Sequence, residues 1–365
     1  LVLSKLAIGS GLVNFYLNSL NSLRLSSKIK KDAVAISLFS GGGGLDLGLS
    51  LAGFNFQYAN DEIQSYCDTI QYNFPDCLAE AKDIRNLKGQ QIRELIQYKN
   101  ISLVAGGPPC QAFSILGKRE SFTDLRGQLV FDYIRLINEL KPDAFLFENV
   151  PGLLTLNKGK DWEKLYYYFQ LETGYDLYTD ILNAADYGIP QIRKRIFLVG
   201  FRQPTEFKFP KPLCRNPSSL DLVDQYLPNW IPAKLALENM DGFLYNHDIR
   251  IHGDRVRGRY EKIAPGGRDK VDHTDRINPE KPSGTVLVGS KAGGGRPHIH
   301  PYLHRHITVR EAARLQSFPD WYKFLGTSTA QYRQVGNAVP PLLSLAVGKS
   351  ILATLQNLKQ KELVN

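Results

Sequence analysis

The sequence predicts an α/β architecture: a Rossmann-like fold with a mainly parallel sheet, joined to a smaller domain of short strands and loops. Three observations carry that expectation. From Ala33 to Phe201, short apolar, β-branched segments alternate with longer helical ones. Glycines and acidic residues follow the apolar segments, at the carboxyl strand ends where open parallel sheets collect ligands. Past Pro204 the alternation gives way to Pro, Gly, Arg and His with little helical periodicity.

In chain order, Leu1–Leu25 is mildly apolar but interrupted by Gly9, Gly11, Asn14, Asn18 and Asn21. It is too polar for a membrane span and has no clear leader-cleavage site. Residues 1–32 therefore read as an N-terminal helix or extension packed on the main domain. Ala33–Phe39 (AVAISLF) reads as a strand, Ser40–Gly44 (SGGGG) as a turn and Leu45–Leu51 as a helix. Phe54–Ala59 is a second strand that ends at Asn60–Asp61, and Ile63–Asn73 a helix. Ile101–Ala105 is a strand closed by Gly106–Cys110 (GGPPC), and Leu125–Leu140 a helix. Ala144–Phe147 is a strand that ends at Glu148, and Trp162–Thr173 a helix. Tyr175–Asn183 and Ile196–Phe201 read as strands. Helical pattern returns at Val309–Leu315 and Leu342–Leu358, the last expected to pack back on the large domain. The domain division is 1–203 with 322–365 for the large unit and 204–321 for the small one.

Composition narrows the function classes. The chain has 365 residues, 43% hydrophobic, enough for a sizeable core. A charged fraction of 22% excludes a disordered chain. The net charge of +9 suggests a polyanionic partner, although a basic surface also serves solubility. The excess is concentrated between Arg250 and Arg310, where six of the seven histidines also fall. Four cysteines without a CxxC pair argue against a disulfide scaffold or a structural zinc. His298, His300, His304 and His306 have Arg and Pro neighbours and no interleaved Cys or acidic ligand, so no metal is expected.

Several residues have the type and position for chemistry. Glycines after a strand let backbone amides approach a ligand, though Gly41–Gly44 alone fits a nicotinamide or flavin site equally well. Asp61 is placed to accept ribose hydroxyls and Asp83 an adenine amino group; either also fits a helix cap. Cys110 stands between Pro109 and Gln111, poor flanks for a core cysteine, and precedes a polar run over Ser114–Thr123. A strand-end cysteine beside Gly and Pro is placed to be a nucleophile. Glu148 can hold a proton beside a ring in the same cleft. In QIRKR, Arg193 and Arg195 share a face if extended, with Lys194 opposite.

Taken in order, these pieces resemble the DNA cytosine-5 methyltransferases over nearly the whole large domain. The matching stretches are Phe39–Gly44 (FSGGGG), Asn60–Asp61, Asp83–Ile84, Gly106–Ser114 (GGPPCQAFS), Asp124–Leu129 (DLRGQL), Glu148–Val150 (ENV), Tyr187–Arg195 (YGIPQIRKR), Arg310–Pro319 (REAARLQSFP) and Gly336–Pro341 (GNAVPP). Each is short; the ordered set is specific. Two departures stand out: Ser37 where the family usually has Asp, and a GGGG turn where larger residues are common. Asp61 followed by Glu62 also differs from the usual Glu and apolar residue, which leaves Glu62 as a second ribose candidate.

The resemblance implies S-adenosylmethionine as cofactor. It would lie against Phe39, Ser40, Gly41, Gly43, Gly44, Leu45, Asp61, Glu62, Asp83, Ile84, Pro108, Leu129, Asn337 and Val339. It also implies a flipped cytosine attacked at C6 by Cys110. Glu148 would contact N3 and the exocyclic amine, with Arg195 and Arg193 holding the glutamate, the base or its phosphate. C5 then takes the methyl group, giving 5-methylcytosine and S-adenosylhomocysteine.

The segment from Pro204 to His306 would read a specific short site on double-stranded DNA. Arg255, Arg257 and Arg259 share one face if extended, and Arg268, Arg296, Gln111 and Ser114 are further DNA candidates. Lys281–Thr285 (KPSGT) is a family-like stretch. The implied setting is prokaryotic and cytoplasmic: a monomer, not membrane-bound, in a restriction-modification system whose cognate endonuclease acts on the same site. An oxidoreductase reading gives PCQ, ENV and QIRKR no common job. An RNA-directed relative would carry a Cys-Phe-Thr signature that this chain lacks, and a catalytically dead DNA-binding protein would not keep Cys110, Glu148 and Arg195 together.

Overall fold

The computed structural model describes residues 12–23, 33–98, 100–109, 128–219, 225–286 and 297–364. Helix α1 (Leu12–Ser22) is followed by β1 (Ala33–Leu38), α2 (Gly44–Ala52), β2 (Phe54–Asp61), α3 (Gln64–Asn73) and β3 (Leu78–Ala81). Then come α4 (Gly89–Ile96), β4 (Leu103–Gly106), α5 (Gln128–Leu140), β5 (Ala144–Asn149), α6 (Lys160–Thr173), β6 (Asp176–Asn183) and β7 (Lys194–Phe201). The rest of the chain supplies α7 (Lys234–Leu237), α8 (Asp254–Glu261), α9 (Val309–Leu315), α10 (Ser328–Asn337) and α11 (Pro341–Val364).

The seven strands form one sheet in the order β3-β2-β1-β4-β5-β7-β6. The first five are parallel, and β7 runs antiparallel to both β5 and β6. All residues of β1 and β5 are buried, as strands covered on both faces must be. The two faces differ in bulk. Ala33, Ala35, Ala105 and Ala144 face one core, which includes residues of α2, α9 and α11. Val34, Ile36, Val104, Phe145 and Phe147 face the other, with α4, α5 and α6. Period-two alternation sorts these side chains, and the alanine face lets its helices approach closely.

Chain order reverses between β1 and β4, so the loops after these two strands diverge and open a crevice. Strand β7 contributes differently. Its pairing sets Asn149 opposite Ile196, so the start of β7 lies at the carboxyl edge of β5. The antiparallel turn thereby brings Arg195 to the edge that carries Glu148.

The N-terminal helix joins the core under the first face of the sheet through Tyr16, Leu17 and Leu20, and it also packs on α7 and on the segment after α9: Asn21 bonds Asp320 at 2.7 Å and Trp321 donates to Leu23 O. Other expectations are revised. The strands expected between 204 and 321 reduce, among the described residues, to isolated bridges such as Arg276 with Ile299. Arg276 donates to the carbonyls of Tyr260, Ile263, His300, Pro301 and Leu303, so one buried guanidinium organises this irregular region. Helices α8 and α10 lacked an apolar stripe to announce them. No single helix among the described residues is long and apolar enough to cross a membrane.

Candidate active site

The crevice holds a cleft of about 510 Å³, lined by the ends of β1, β2, β4 and β5 and by Asn337–Val339 after α10. Its floor is the glycine turn. Phe39 has φ 56°, a left-handed conformation costly for a bulky residue, on the order of 1 kcal/mol. Ser40 N donates to Asn60 O and Gly41 N to Asp61 Oδ2 at 2.9 Å. The other oxygen of Asp61 accepts from Ile63 N at 3.0 Å. Both Asp61 oxygens thus brace backbone, and burial raises the pKa of this carboxyl. Glu62 beside it lines the cleft with an exposed side chain.

Beneath the turn, Ser40 Oγ donates to Ser37 Oγ at 2.9 Å, which is the local consequence of Ser37. Asp46, buried in the first turn of α2, has its carboxyl pushed up to about 7 by burial. Gly43 does not line the cleft. With φ 74°, it lies where a Cβ would come within 2.2 Å of the Tyr322 hydroxyl, so its role is packing. Gly42 lines the cleft in its place, and its carbonyl accepts from Tyr322.

At the far end of the floor, Lys82, Asp83 and Ile84 line the wall. Asp83 caps its own turn by accepting from Arg85 N at 2.9 Å, and it pairs with the Arg85 guanidinium, which holds its carboxyl below the usual range. Asp83 is thus a cap, as one of its two readings had it, and it also lines the cleft. Ser40, Gly41, Gly44, Leu45, Pro108, Leu129 and Val339 also line the cleft. The sequence reading missed Asn60, Ile63, Tyr66, Lys82, Gly107, Pro109, Asn149, Val150 and Ala338. Asn60, Gly107, Pro109, Asn149, Val150 and Ala338 lie within the quoted motifs but were not singled out there as site residues, and Ile63 and Lys82 flank a motif. Tyr66 does not, and nothing in its flanks marks it.

The other wall is ionic. Glu148 is buried, and Arg195 Nε lies 2.9 Å from its Oε1. Burial raises the Glu148 pKa, opposed by the charges of Arg195 and Arg193. A Cβ on Gly107 would stand 2.8 Å from Glu148 Oε2, so this glycine admits the carboxylate to the cleft. Asn149 Nδ2 donates to Pro108 O at 2.9 Å and so fixes the chain just before Cys110. Cys110 itself, with Gln111 and Ser114, lies outside the described residues, as does Arg296.

Arg193 and Arg195 part company. Arg195 lines the cleft. Arg193 precedes β7, is wholly buried and donates through Nη2 to Gly336 O at 2.7 Å, one residue before Asn337. Burial holds its pKa well below the ordinary guanidinium value. The shared face expected of an extended segment does not place both arginines in the cleft.

The basic residues of the smaller region are also revised. Arg255, Arg257 and Arg259 lie on α8, not on an extended segment. Arg259 is held by Asp269 at 2.9 Å and by Asp272, and Arg268 by Asp275 at 3.2 Å. Arg255 and Arg257 remain exposed. The histidines are drawn into local hydrogen bonds, as between His306 and Tyr260 at 2.8 Å and between His298 and Thr285 O.

A glycine turn with braced amides, carboxylates along the next strand and an apolar wall suits an adenosine-bearing ligand. A buried Glu–Arg pair beside a strand-end Pro-Pro-Cys suits a polarised ring. Known proteins resemble this chain over most of its length. Residues 34–353 match the family model for the C-5 cytosine-specific DNA methylase. The Type II methyltransferase M.XorII of Xanthomonas oryzae pv. oryzae is 35% identical, over 90% of this chain and 86% of that protein. M1.HphI of Haemophilus parahaemolyticus is 36% identical, over 87% of this chain and 86% of the relative. Among solved structures, an Escherichia coli prophage-encoded chain described as a DNA modification methyltransferase superposes with a TM-score of 0.74. It is 26% identical and covers 89% of this chain and 100% of its own.

Proposed function

The chain belongs to the C-5 cytosine-specific DNA methylase family, and we propose that it methylates one cytosine within a specific short duplex site through a covalent Cys110 adduct. It is a DNA cytosine-5 methyltransferase with S-adenosylmethionine as methyl donor. The observation that carries the finer reading is the Glu148–Arg195 pair. It faces the same cleft as the glycine turn, and Asn149 anchors the chain leading to Cys110.

The residues present fit the cofactor. The backbone of the glycine turn, with Phe39, Leu45, Ile84 and Leu129, would form a floor and apolar wall for an adenosine. Asp61 and Glu62 supply carboxylate oxygens for the ribose. Asn337 and Val339 close the side that faces the base. When bound, S-adenosylmethionine supplies an electrophilic methyl group on a sulfonium.

C5 of cytosine is a poor nucleophile until C6 is saturated. In this reading the Cys110 thiolate adds to C6 of the flipped base. Glu148 keeps a proton at N3, where negative charge develops, and its raised pKa favours that protonated state. Arg195 orients the carboxyl group, and Arg193 acts through Gly336. C5, now nucleophilic, would take the methyl group and release S-adenosylhomocysteine; a base then removes the C5 proton and Cys110 leaves, restoring the aromatic ring in 5-methylcytosine. The resemblance to Type II methyltransferases supports a modification role beside an endonuclease of the same specificity. In this reading the enzyme acts as a cytoplasmic monomer, one chain carrying the full set of motifs.

The test is incubation of the protein with mixed-sequence DNA and labelled S-adenosylmethionine, followed by bisulfite sequencing. The expected product is 5-methylcytosine at one position of a recurring short site. Folded protein that leaves no 5-methylcytosine would overturn the reading.

A further inference from the structure

Between His247 and His252 the chain is held at both ends and bare in the middle. At the first end Asn246, with φ 63°, donates from Nδ2 to Phe324 O at 2.8 Å and accepts at Oδ1 from Phe324 N at 3.0 Å. Its carbonyl accepts from Arg310 N, and His247 Nδ1 lies 2.9 Å from Thr308 Oγ1. At the second end His252 accepts from His306 N, and its ring packs edge-on against Tyr260 and His306. The four residues between, Asp248 to Ile251, are all exposed. Ile249 is 55% exposed and Ile251 88%. Arg250 makes no ion pair among the described residues.

The neighbouring cations are less available. Arg259 and Arg268 are paired to aspartates. Helix α8 presents Arg255 and Arg257 with exposed Asp254 and Glu261 and no large exposed apolar side chain, whereas the tip carries two exposed isoleucines beside one Asp and one Arg. Asp248 and Arg250 lie within electrostatic reach of Tyr332 on α10, whose last residue, Asn337, lines the cleft. The anchors of the tip run to Phe324, Thr308 and His306, on the segments that flank α9 and lead into α10.

Two isoleucines flanking an arginine, on a tip fixed at both ends, present apolar surface that nothing on the described protein covers. Duplex DNA matches both chemistries: phosphates or base edges for the guanidinium, and thymine methyls or stacked base faces for the isoleucines. Because the tip is already anchored, little ordering entropy opposes its docking. We propose that Asp248–Ile251 is a DNA-contacting element of this enzyme, with Arg250 on the duplex backbone or a base edge and Ile251 against bases near the target cytosine. This rests on the functional reading above.

The test uses the full chain and a fluorescent duplex carrying the site mapped by bisulfite sequencing, with a scrambled duplex beside it. Ile251→Ala and Arg250→Ala should each weaken binding of the site duplex about tenfold. Arg250→Ala should also reduce the dependence of log affinity on log salt by about one. Binding of S-adenosylmethionine should not change, which shows that the variants are folded, and Leu171→Ala on α6 should bind DNA as the parent does. Parent-like DNA binding by both tip variants overturns the proposal while leaving the methyltransferase reading intact. Loss of a concentration-dependent dimer in Ile251→Ala, with DNA binding unchanged, overturns it in favour of a second copy of the chain. A parent protein that neither binds nor methylates DNA removes the functional reading and this proposal together.

Discussion

Arg193 donates to the carbonyl of Gly336 across 2.7 Å, joining the residue before β7 to the last turn of α10. One guanidinium therefore senses the charge of Glu148 and positions the backbone beside Asn337. Replacing it with Met should loosen that backbone. The expected result is an increase of about tenfold in KM for S-adenosylmethionine, the loss of one hydrogen bond from a charged donor. Steady-state kinetics would show it, with a smaller change in kcat than Arg195→Met gives.

Glu148→Gln keeps the shape of the side chain and removes its titration. We expect kcat to fall roughly 10²- to 10⁴-fold, with cofactor binding little changed. In the proposed mechanism the wild-type carboxyl acts when protonated, and burial raises its pKa. Activity limited by this group therefore declines as pH rises through that raised value. A kcat–pH profile should show this alkaline decline in the parent and lack it in the Gln variant.

Gly107→Ala would put a methyl group 2.8 Å from Glu148 Oε2. The carboxyl must move, which breaks its alignment with Arg195. A loss of activity on the order of 10²-fold is expected, because displacement of a catalytic group by about 1 Å has that scale. Calorimetric titration should find cofactor affinity within a few-fold of the parent.

DNA with 5-fluorocytosine at the methylated position blocks loss of the C5 substituent. The parent enzyme should form an adduct that survives denaturing electrophoresis, and Cys110→Ser should form none. A stable adduct in the Ser variant would move the nucleophile elsewhere.

His300 is buried, and its pKa is lowered to about 4, chiefly by burial. Its ring accepts at Nδ1 from Tyr302 N and Leu303 N. A histidine depressed in the folded state contributes full stability above the unfolded value near 6.5 and loses it as pH falls toward 4. The urea midpoint should therefore drop between pH 7 and pH 5. His300→Asn, which keeps an acceptor without a titration, should flatten that part of the curve.

Six of the seven strands were legible as short apolar runs, and Asp61 and Glu148 close two of them; β3 (LAEA) has no such run, and Arg195 opens β7 instead of closing a strand. The division between the two arginines was not legible. Extended spacing puts Arg193 and Arg195 on one side of a strand, but Arg193 precedes β7, and its burial under α10 depends on a contact 143 residues away. Helix α8 was hidden for a different reason: it is charged nearly throughout, so no apolar stripe marks its period. The pairing of Arg259 with Asp269 and Asp272 follows from a turn that the sequence does not announce. Glu148 and its neighbours were recognisable as an ordered set, whereas Tyr66 enters the cleft only through the packing of α3.

The glycine turn is clasped by residues made much later. Tyr322 donates to Gly42 O, and Ser344 Oγ to Gly44 O at 3.0 Å, across sequence separations of 280 and 300. During synthesis, β1 and α2 leave the ribosome long before either partner exists. The turn must wait for the chain through Ser344 before its floor can lock. A nascent chain stopped short of that point would carry the glycines and Glu148 without the clasp that shapes the cofactor cleft. Translation order thus delays assembly of a competent site until the whole irregular region between β7 and α9 has also been made.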